Sequence, residues 1–150
     1  MKQWTVQVLL LGLFGAIAPL PNAQAVPDSQ LEISINGLRN QSGQVCFSLF
    51  SQSQGFPSGG QALQADCVDV GEDSPSILFR GLNPGSYAVA VFHDVNRDGQ
   101  LNQTVFGIPT EGFGFSRNPR LMAGPPSFGD AAFVVAGVQN SIQIQLRYLR

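Results

Sequence analysis

Charged side chains are scarce in this chain of 150 residues, at 12% of the total, which is about half the share usual in soluble domains. Lysine and arginine number 8 and aspartate and glutamate 10, for a formal net charge of −2. A nucleic-acid-binding protein is excluded, because such proteins carry a surplus of positive charge. The apolar share of 43% excludes a charge-rich disordered chain. Only one histidine is available for catalysis or metal binding.

Long apolar runs are missing after residue 25, so the rest of the chain has no segment able to span a membrane. Residues 1–25 have the three parts of a secretory signal peptide: Lys2, an uncharged apolar run over residues 6–18, and the small residues of Ala23-Gln24-Ala25. We expect residues 1–25 to be removed and residues 26–150 to form one domain. The processed protein is then expected in the periplasm or outside the cell.

Cysteine is also scarce, with two residues, Cys46 and Cys67. An exported protein meets an oxidising compartment, which favours a disulfide between them. The loop that it closes is about 20 residues long, and closure stabilises the fold by roughly 3 kcal/mol in the chain-entropy model. Two buried free thiols are the alternative.

No segment shows a clear helical stripe. Short apolar or alternating runs bounded by turn residues recur seven times, over residues 31–36, 45–50, 67–70, 76–79, 87–92, 132–135 and 142–148. This pattern predicts an all-β protein, an antiparallel β-sandwich of about seven strands with one long ordered loop. The segment Gly81–Tyr87, Gly-Leu-Asn-Pro-Gly-Ser-Tyr, looks like a turn element of transthyretin-like sandwiches. An ordinary hairpin turn is the alternative for this segment, and an immunoglobulin-like sandwich is the alternative for the fold.

The long loop covers residues 93–129 and shows no clear strand pattern. Structureless loops beyond roughly 15 residues are uncommon in compact domains and are usually functional or disordered. Four phenylalanines in this segment argue against disorder. We therefore expect an ordered loop that packs its aromatic rings on the sandwich or offers them to a partner.

The start of this loop has the oxygen pattern of a calcium-binding loop, with Asp94, Asn96 and Asp98 at alternate positions before a glycine. The carbonyl of Gln100 would add an oxygen, and Glu111 would replace the usual twelfth-position glutamate through the fold. The pattern predicts a weak calcium site formed by these five residues, and no other cofactor. An Asx-rich turn, in which the side chains bind their own backbone, is the alternative.

The second half of the loop alternates glycine with Phe113 and Phe115 and continues to Arg117 and Arg120. One interpretation is a ligand surface for a sugar or a peptide, formed by His93, Phe113, Phe115, Arg117 and Arg120. In the other, the two rings fill the core while glycine allows a close backbone approach. His93 extends the strand over residues 87–92, so alternation places its side chain opposite that of Phe92.

The runs Phe92–Asn102 and Phe106–Ser116 and the segment Gly124–Phe128 together resemble a bacterial family of exported domains of unknown function, number 2141. The resemblance covers roughly residues 31–148. It implies an exported β-sandwich and supplies no catalytic residue. Members often carry an acidic residue where Asn102 stands, which lowers the number of charged ligands available for calcium here.

Three functions remain open at this point. The first is an exported, non-catalytic β-sandwich module whose long loop binds calcium weakly and presents a surface to an envelope protein, a peptide or a carbohydrate. The second is a hydrolase that uses His93, although the Gly-x-Ser-x-Gly nucleophile motif is absent. The third is a partner that adds a strand to other envelope proteins.

Overall fold

Nearly all of the regular secondary structure is β-strand. The structure, a computed structural model, describes residues 29–58, 60–71 and 73–149, and the predicted signal peptide lies outside this range. In chain order the elements are β1 (Ser29–Asn36), β2 (Gln44–Phe50), β3 (Gln64–Asp69), β4 (Ser76–Leu82), β5 (Gly85–Asp94), β6 (Gly112–Phe115), α1 (Phe128–Ala131), β7 (Phe133–Val135) and β8 (Gln139–Gln145). Among these described residues, no helix is long and apolar enough to cross a membrane.

The strands form two sheets, which confirms the predicted β-sandwich. One sheet has the order β4-β1-β8, and the other has the order β3-β2-β5-β6, with β7 pairing with the start of β5. Two details differ from the prediction. There are eight strands, because β6 forms inside the long loop, and β1 pairs with β8 in parallel. Between β7 and β8 the chain crosses from one sheet to the other.

The main core lies between the sheets and is built by strict alternation. Leu31, Ile33 and Ile35 of β1 are fully buried, whereas Glu32 between them is exposed. Inward residues of β2 and β5 meet them, and Phe47 packs edge-to-face on Phe79 at 5.3 Å. Each such side chain contributes roughly 1.5–3 kcal/mol through removal from water.

A second, smaller apolar cluster, which we call the outer cluster, lies on the outer face of the β3-β2-β5-β6 sheet. Its buried members are Ala88, Phe113, Phe115 and Ala131, and partly buried residues that include Phe56 and Phe128 pack against them. The alternate residues of β5 supply one wall of this cluster, while the main core uses the others. The long segment between β5 and β7 therefore folds back over its own sheet.

Cys46 and Cys67 stand directly opposite each other on β2 and β3 and form a disulfide. This confirms the predicted pairing. The bond joins the edge strand β3, most of which is exposed, to the inner strand β2. The edge of the second sheet is thus covalently attached.

Candidate functional site

Asp94 ends β5 and organises the turn that follows it. Its carboxylate is fully buried. Oδ2 accepts from the backbone N–H of Gly99 at 2.8 Å and from Gln44 Nε2 at 2.8 Å, and Oδ1 accepts from the N–H of Asp98 at 3.2 Å. Arg97 and Gly99 adopt left-handed backbone angles, with φ of 62° and 75°. The turn therefore closes around the Asp94 side chain.

Arg97 attaches this turn to the neighbouring strands. Its Nη1 lies 2.6 Å from Asp69 Oδ1 at the end of β3, and its Nη2 donates to the carbonyl of Gly43 at 3.0 Å. Both side chains of the ion pair are more than half exposed. Exposed pairs of this kind contribute at most about 1 kcal/mol, so Arg97 positions the turn more than it stabilises the fold.

Asp98 accepts hydrogen bonds from three sides. Asn102 Nδ2 donates to its Oδ2 at 3.0 Å, Asn96 Nδ2 donates to the same oxygen at 2.9 Å, and the N–H of Gln100 donates to Oδ1 at 2.9 Å. These donors favour the ionised carboxylate, with Asn102 the largest contributor, and they hold the pKa of Asp98 below its usual 3.8.

Glu111 binds the backbone at both ends of the turn that follows Asp94. Its side chain is buried, and its two oxygens accept from the N–H of Val95 at 2.9 Å and the N–H of Asn102 at 3.0 Å. Sequence spacing alone could not show that Glu111 returns to this turn. Its role in the structure is to bind two backbone donors that lie seven residues apart in the chain.

The carboxylates among the predicted calcium ligands already accept hydrogen bonds from the protein. The oxygens of Asp94, Asp98 and Glu111 are all engaged by N–H donors, and Gln100 contacts Asp98 through its backbone nitrogen. In the described part of the chain, no group of three or more His, Cys, Asp or Glu is arranged to hold a metal ion. Calcium needs 6–8 oxygens, so this donor set fits the ion poorly, and the hydrogen-bond pattern is that of an Asx-rich turn.

Residues 102–110 form a small hairpin, which we call the finger. Thr110 N–H donates to the carbonyl of Asn102, Thr104 N–H to that of Ile108, and Gly107 N–H to that of Thr104, each at 2.9 Å. At the tip, Val105 is 96% and Phe106 85% exposed. The finger is a self-paired element whose apolar tip lies in solvent.

His93, predicted as part of a ligand surface, is instead fully buried on the inner face of β5. Its Nε2 lies 2.7 Å from the carbonyl of Ser42 and must donate, because a carbonyl only accepts. In the neutral ring Nδ1 then accepts from the Tyr148 hydroxyl, also at 2.7 Å. His93 thus lies on the face of β5 opposite to Phe92, as strand alternation predicts, but its complete burial excludes it from a ligand surface.

Phe113 and Phe115 also need correction as surface residues, since they expose only 7% and 8%. Their burial depends on the glycines that alternate with them, because these allow β6 to lie close to the C-terminal residues. A Cβ on Gly112 would lie 2.3 Å from the Tyr148 ring, and one on Gly114 would lie 2.8 Å from Ile144. The strand thus passes close against the C-terminal segment, and the rings turn to the other face, into the outer cluster.

The end of β6 leads into a turn that covers a sheet edge. Arg117 is exposed and donates to the carbonyl of Ala132 at 3.3 Å, and Arg120 is exposed. Between them, the Asn118 amide donates to the carbonyl of Gln143 and accepts from the N–H of Gln145. The two arginines thus lie at the surface without Phe113 and Phe115, while Asn118 occupies the free edge of β8.

The finger tip is the feature that sequence reasoning missed. The sequence patterns above single out neither Val105 nor Phe106. The available signal was a run of twelve residues without charge, 99–110, in which two adjacent apolar residues precede a glycine. Thr104-Val105-Phe106-Gly107 is a turn pattern with glycine at its last position.

These features define a two-sheet β-sandwich that carries a long segment fixed by two buried carboxylates. A family described as an uncharacterized protein conserved in bacteria, DUF2141, matches residues 33–143. The chain belongs to this family, as its motifs predict. No curated protein and no solved structure gives a significant match.

Proposed function

We propose that this protein is an exported, non-catalytic binding module and that the finger is its contact element. The exposure of Phe106 carries the proposal. Ten phenylalanines lie in the described part of the chain, and Phe106 is the one that is mostly exposed. Adjacent exposed apolar residues on an ordered turn are typical of a binding site, whereas isolated ones are common on any surface.

The base of the finger supports this proposal. Glu111 and the Asp94 turn fix residues 95–102 with hydrogen bonds to backbone donors. A contact element that is already ordered loses little conformational entropy on binding. The disulfide and the predicted signal peptide support a location outside the cytoplasm.

Photocrosslinking in intact exporting cells tests the proposal. A benzophenone amino acid replaces Phe106 in one variant and Met122, which is 95% exposed outside the finger, in the other. We expect a crosslinked adduct, with protein or lipid, from position 106 and none from position 122. Equal crosslinking at the two positions, or none at position 106, would contradict the proposal.

Weak calcium binding by the Asp94 turn stays a prediction. The three oxygen-bearing side chains that lie within six residues support it, and their hydrogen bonds imply low affinity. We expect calorimetry of the processed protein with calcium chloride to give a dissociation constant of about 10⁻⁴–10⁻³ M, the range of weak extracellular sites, and Asp98→Asn to weaken it. Asp73→Asn, at another exposed carboxylate, is the control. Absence of both heat and a thermal shift would end the calcium hypothesis.

The hydrolase alternative has no specific observation in its favour. It requires a hydroxyl nucleophile that hydrogen-bonds to His93 in a site open to substrate. Both ring nitrogens of His93 are engaged, by Ser42 and Tyr148, and the ring is fully buried.

A further inference from the structure

We propose that the finger inserts its tip into the interfacial region of a zwitterionic lipid bilayer. The inference rests on the proposed function, in which the finger is the contact element, and it names the chemistry of the partner. Residues 102–110 contain no charged side chain. A charged group would oppose transfer into an apolar medium, so this segment is suited to leaving water.

The backbone N–H groups of Phe106, Gly107 and Ile108 at the tip also have acceptors within the finger, which an apolar environment requires. Thr104 Oγ1 accepts from the N–H of Phe106 at 3.3 Å and from the N–H of Ile108 at 3.2 Å, and the Thr104 carbonyl accepts from the N–H of Gly107. An unsatisfied N–H is costly wherever water is excluded. One threonine therefore satisfies three consecutive donors at the point that would enter the bilayer.

The size and shape of the tip favour lipid over a protein pocket. One phenylalanine covers about 150–250 Å², so Val105 and Phe106 together remain far below the roughly 800 Å² that each partner contributes to a standard protein interface. A convex tip with two apolar side chains is sufficient to enter the boundary between headgroups and acyl chains. The uncharged polar residues behind it, Gln103 and Thr110, would lie at headgroup level.

The charge of the protein predicts which kind of lipid headgroup it binds. Its formal net charge is −2, and its single lysine, Lys2, lies within the predicted signal peptide. Proteins that bind anionic membranes use clusters of Lys and Arg, and the finger has neither. Binding is therefore expected on neutral headgroups and should be insensitive to salt.

Flotation with vesicles tests this inference on the processed protein, purified from an exporting host. The probe is vesicles of phosphatidylethanolamine and phosphatidylcholine, and the variants are Phe106→Ser and, as the matched control, Met122→Ser. We expect wild type and Met122→Ser to float equally and Phe106→Ser to lose about tenfold in partitioning. Because the one tryptophan, Trp4, lies in the predicted leader, Phe106→Trp adds a single reporter. Its emission should shift to the blue on vesicles and be quenched by brominated lipid, unlike that of Met122→Trp.

The inference is overturned if wild type does not float with these vesicles, if Phe106→Ser floats as well as wild type, or if flotation requires anionic lipid and low salt. Specific crosslinking of position 106 to a protein in cells, together with no flotation, would overturn the lipid inference and leave the proposed binding module standing. Absence of both results would overturn both proposals.

Discussion

The two halves of the long segment between β5 and β7 combine phenylalanine and glycine in similar ways but have opposite environments. In β6, Phe113 and Phe115 are buried, and the strand pairs with β5 on one side and with Arg147 on the other. In the finger, Phe106 is exposed, and the N–H groups of Thr104, Gly107 and Thr110 donate to carbonyls of the same hairpin. The partner of the backbone, more than the local sequence, therefore decides whether these rings belong to the core or to a contact surface.

The largest effect should come from adding a methyl group to β6 at a position where neighbouring atoms leave no room for it. Gly114→Ala places a Cβ 2.8 Å from Ile144 Cγ2 and 2.9 Å from the Gln145 carbonyl oxygen, so backbone must move. We expect the free energy of unfolding to fall by about 1–3 kcal/mol, as for other overpacked cores. Chemical denaturation measures it. Gly71→Ala, which has open space around it, is the control and should change little. Equal effects at both positions would mean that β6 is not tightly packed.

The next effect concerns Glu111, which lies between the finger and β6 in the chain. Glu111→Gln keeps the size of the side chain but places an NH₂ group against the N–H of Val95 or of Asn102. A fully buried donor left without an acceptor costs about 1–3 kcal/mol, and these partly buried donors should cost less. We expect lower stability and faster hydrogen exchange at Val95 and Asn102. The exposed Glu32→Gln is the control, and unchanged exchange at both amides would contradict the role of Glu111.

Tyr148 packs against Gly112 of β6, and its ionisation makes the stability of the protein depend on pH. Burial raises the pKa of Tyr148 above its usual 10.0. The folded state therefore holds this proton more tightly than the unfolded chain does. The stabilisation is fully present below pH 10 and is lost as pH rises through the raised pKa.

Tyr148→Phe should reveal this dependence directly. At about pH 8 the variant should be about 1 kcal/mol less stable than wild type, because the buried His93 Nδ1 loses its donor. Since the phenolate cannot donate to His93, the difference should shrink above about pH 10. Thermal melts of both proteins across this range measure it. A difference that stays constant into the alkaline range would exclude the Tyr148–His93 bond as its source.

Much of the fold could be predicted because alternation is a local signal. Residues 31–36 alternate on a strand with one buried face, and all seven predicted segments contain or overlap a strand. The strand β6 was not predicted, because all four of its residues are buried and it shows no alternation of buried and exposed residues. Its two faces are covered by the outer cluster and by the C-terminal segment, about 30 residues later in the chain. Periodicity carries no information about such a distant cover.

In the candidate site, too, the local features could be predicted from the sequence and the features that depend on distant residues could not. The Asp94 turn was predictable, since its pattern lies within six residues and glycine marks the tight bend. The link from Glu111 to Val95 and Asn102 and the link from His93 to Tyr148 depend on tertiary packing. Whether a phenylalanine is buried also depends on packing, so the sequence suggested Phe113 and Phe115 as a surface and passed over Phe106.

The smallest effect on stability should come from the finger tip. Phe106 is 85% exposed, so Phe106→Ala should change the free energy of unfolding by less than about 0.5 kcal/mol. Phe115→Ala, a reference variant in the buried outer cluster, should lower the free energy of unfolding several times more. Denaturation of the two variants side by side measures the contrast. If Phe106→Ala is as damaging as Phe115→Ala, the tip packs against the domain in solution and is no contact element. If it is neutral, any loss of binding in that variant is a property of the surface and not of the fold.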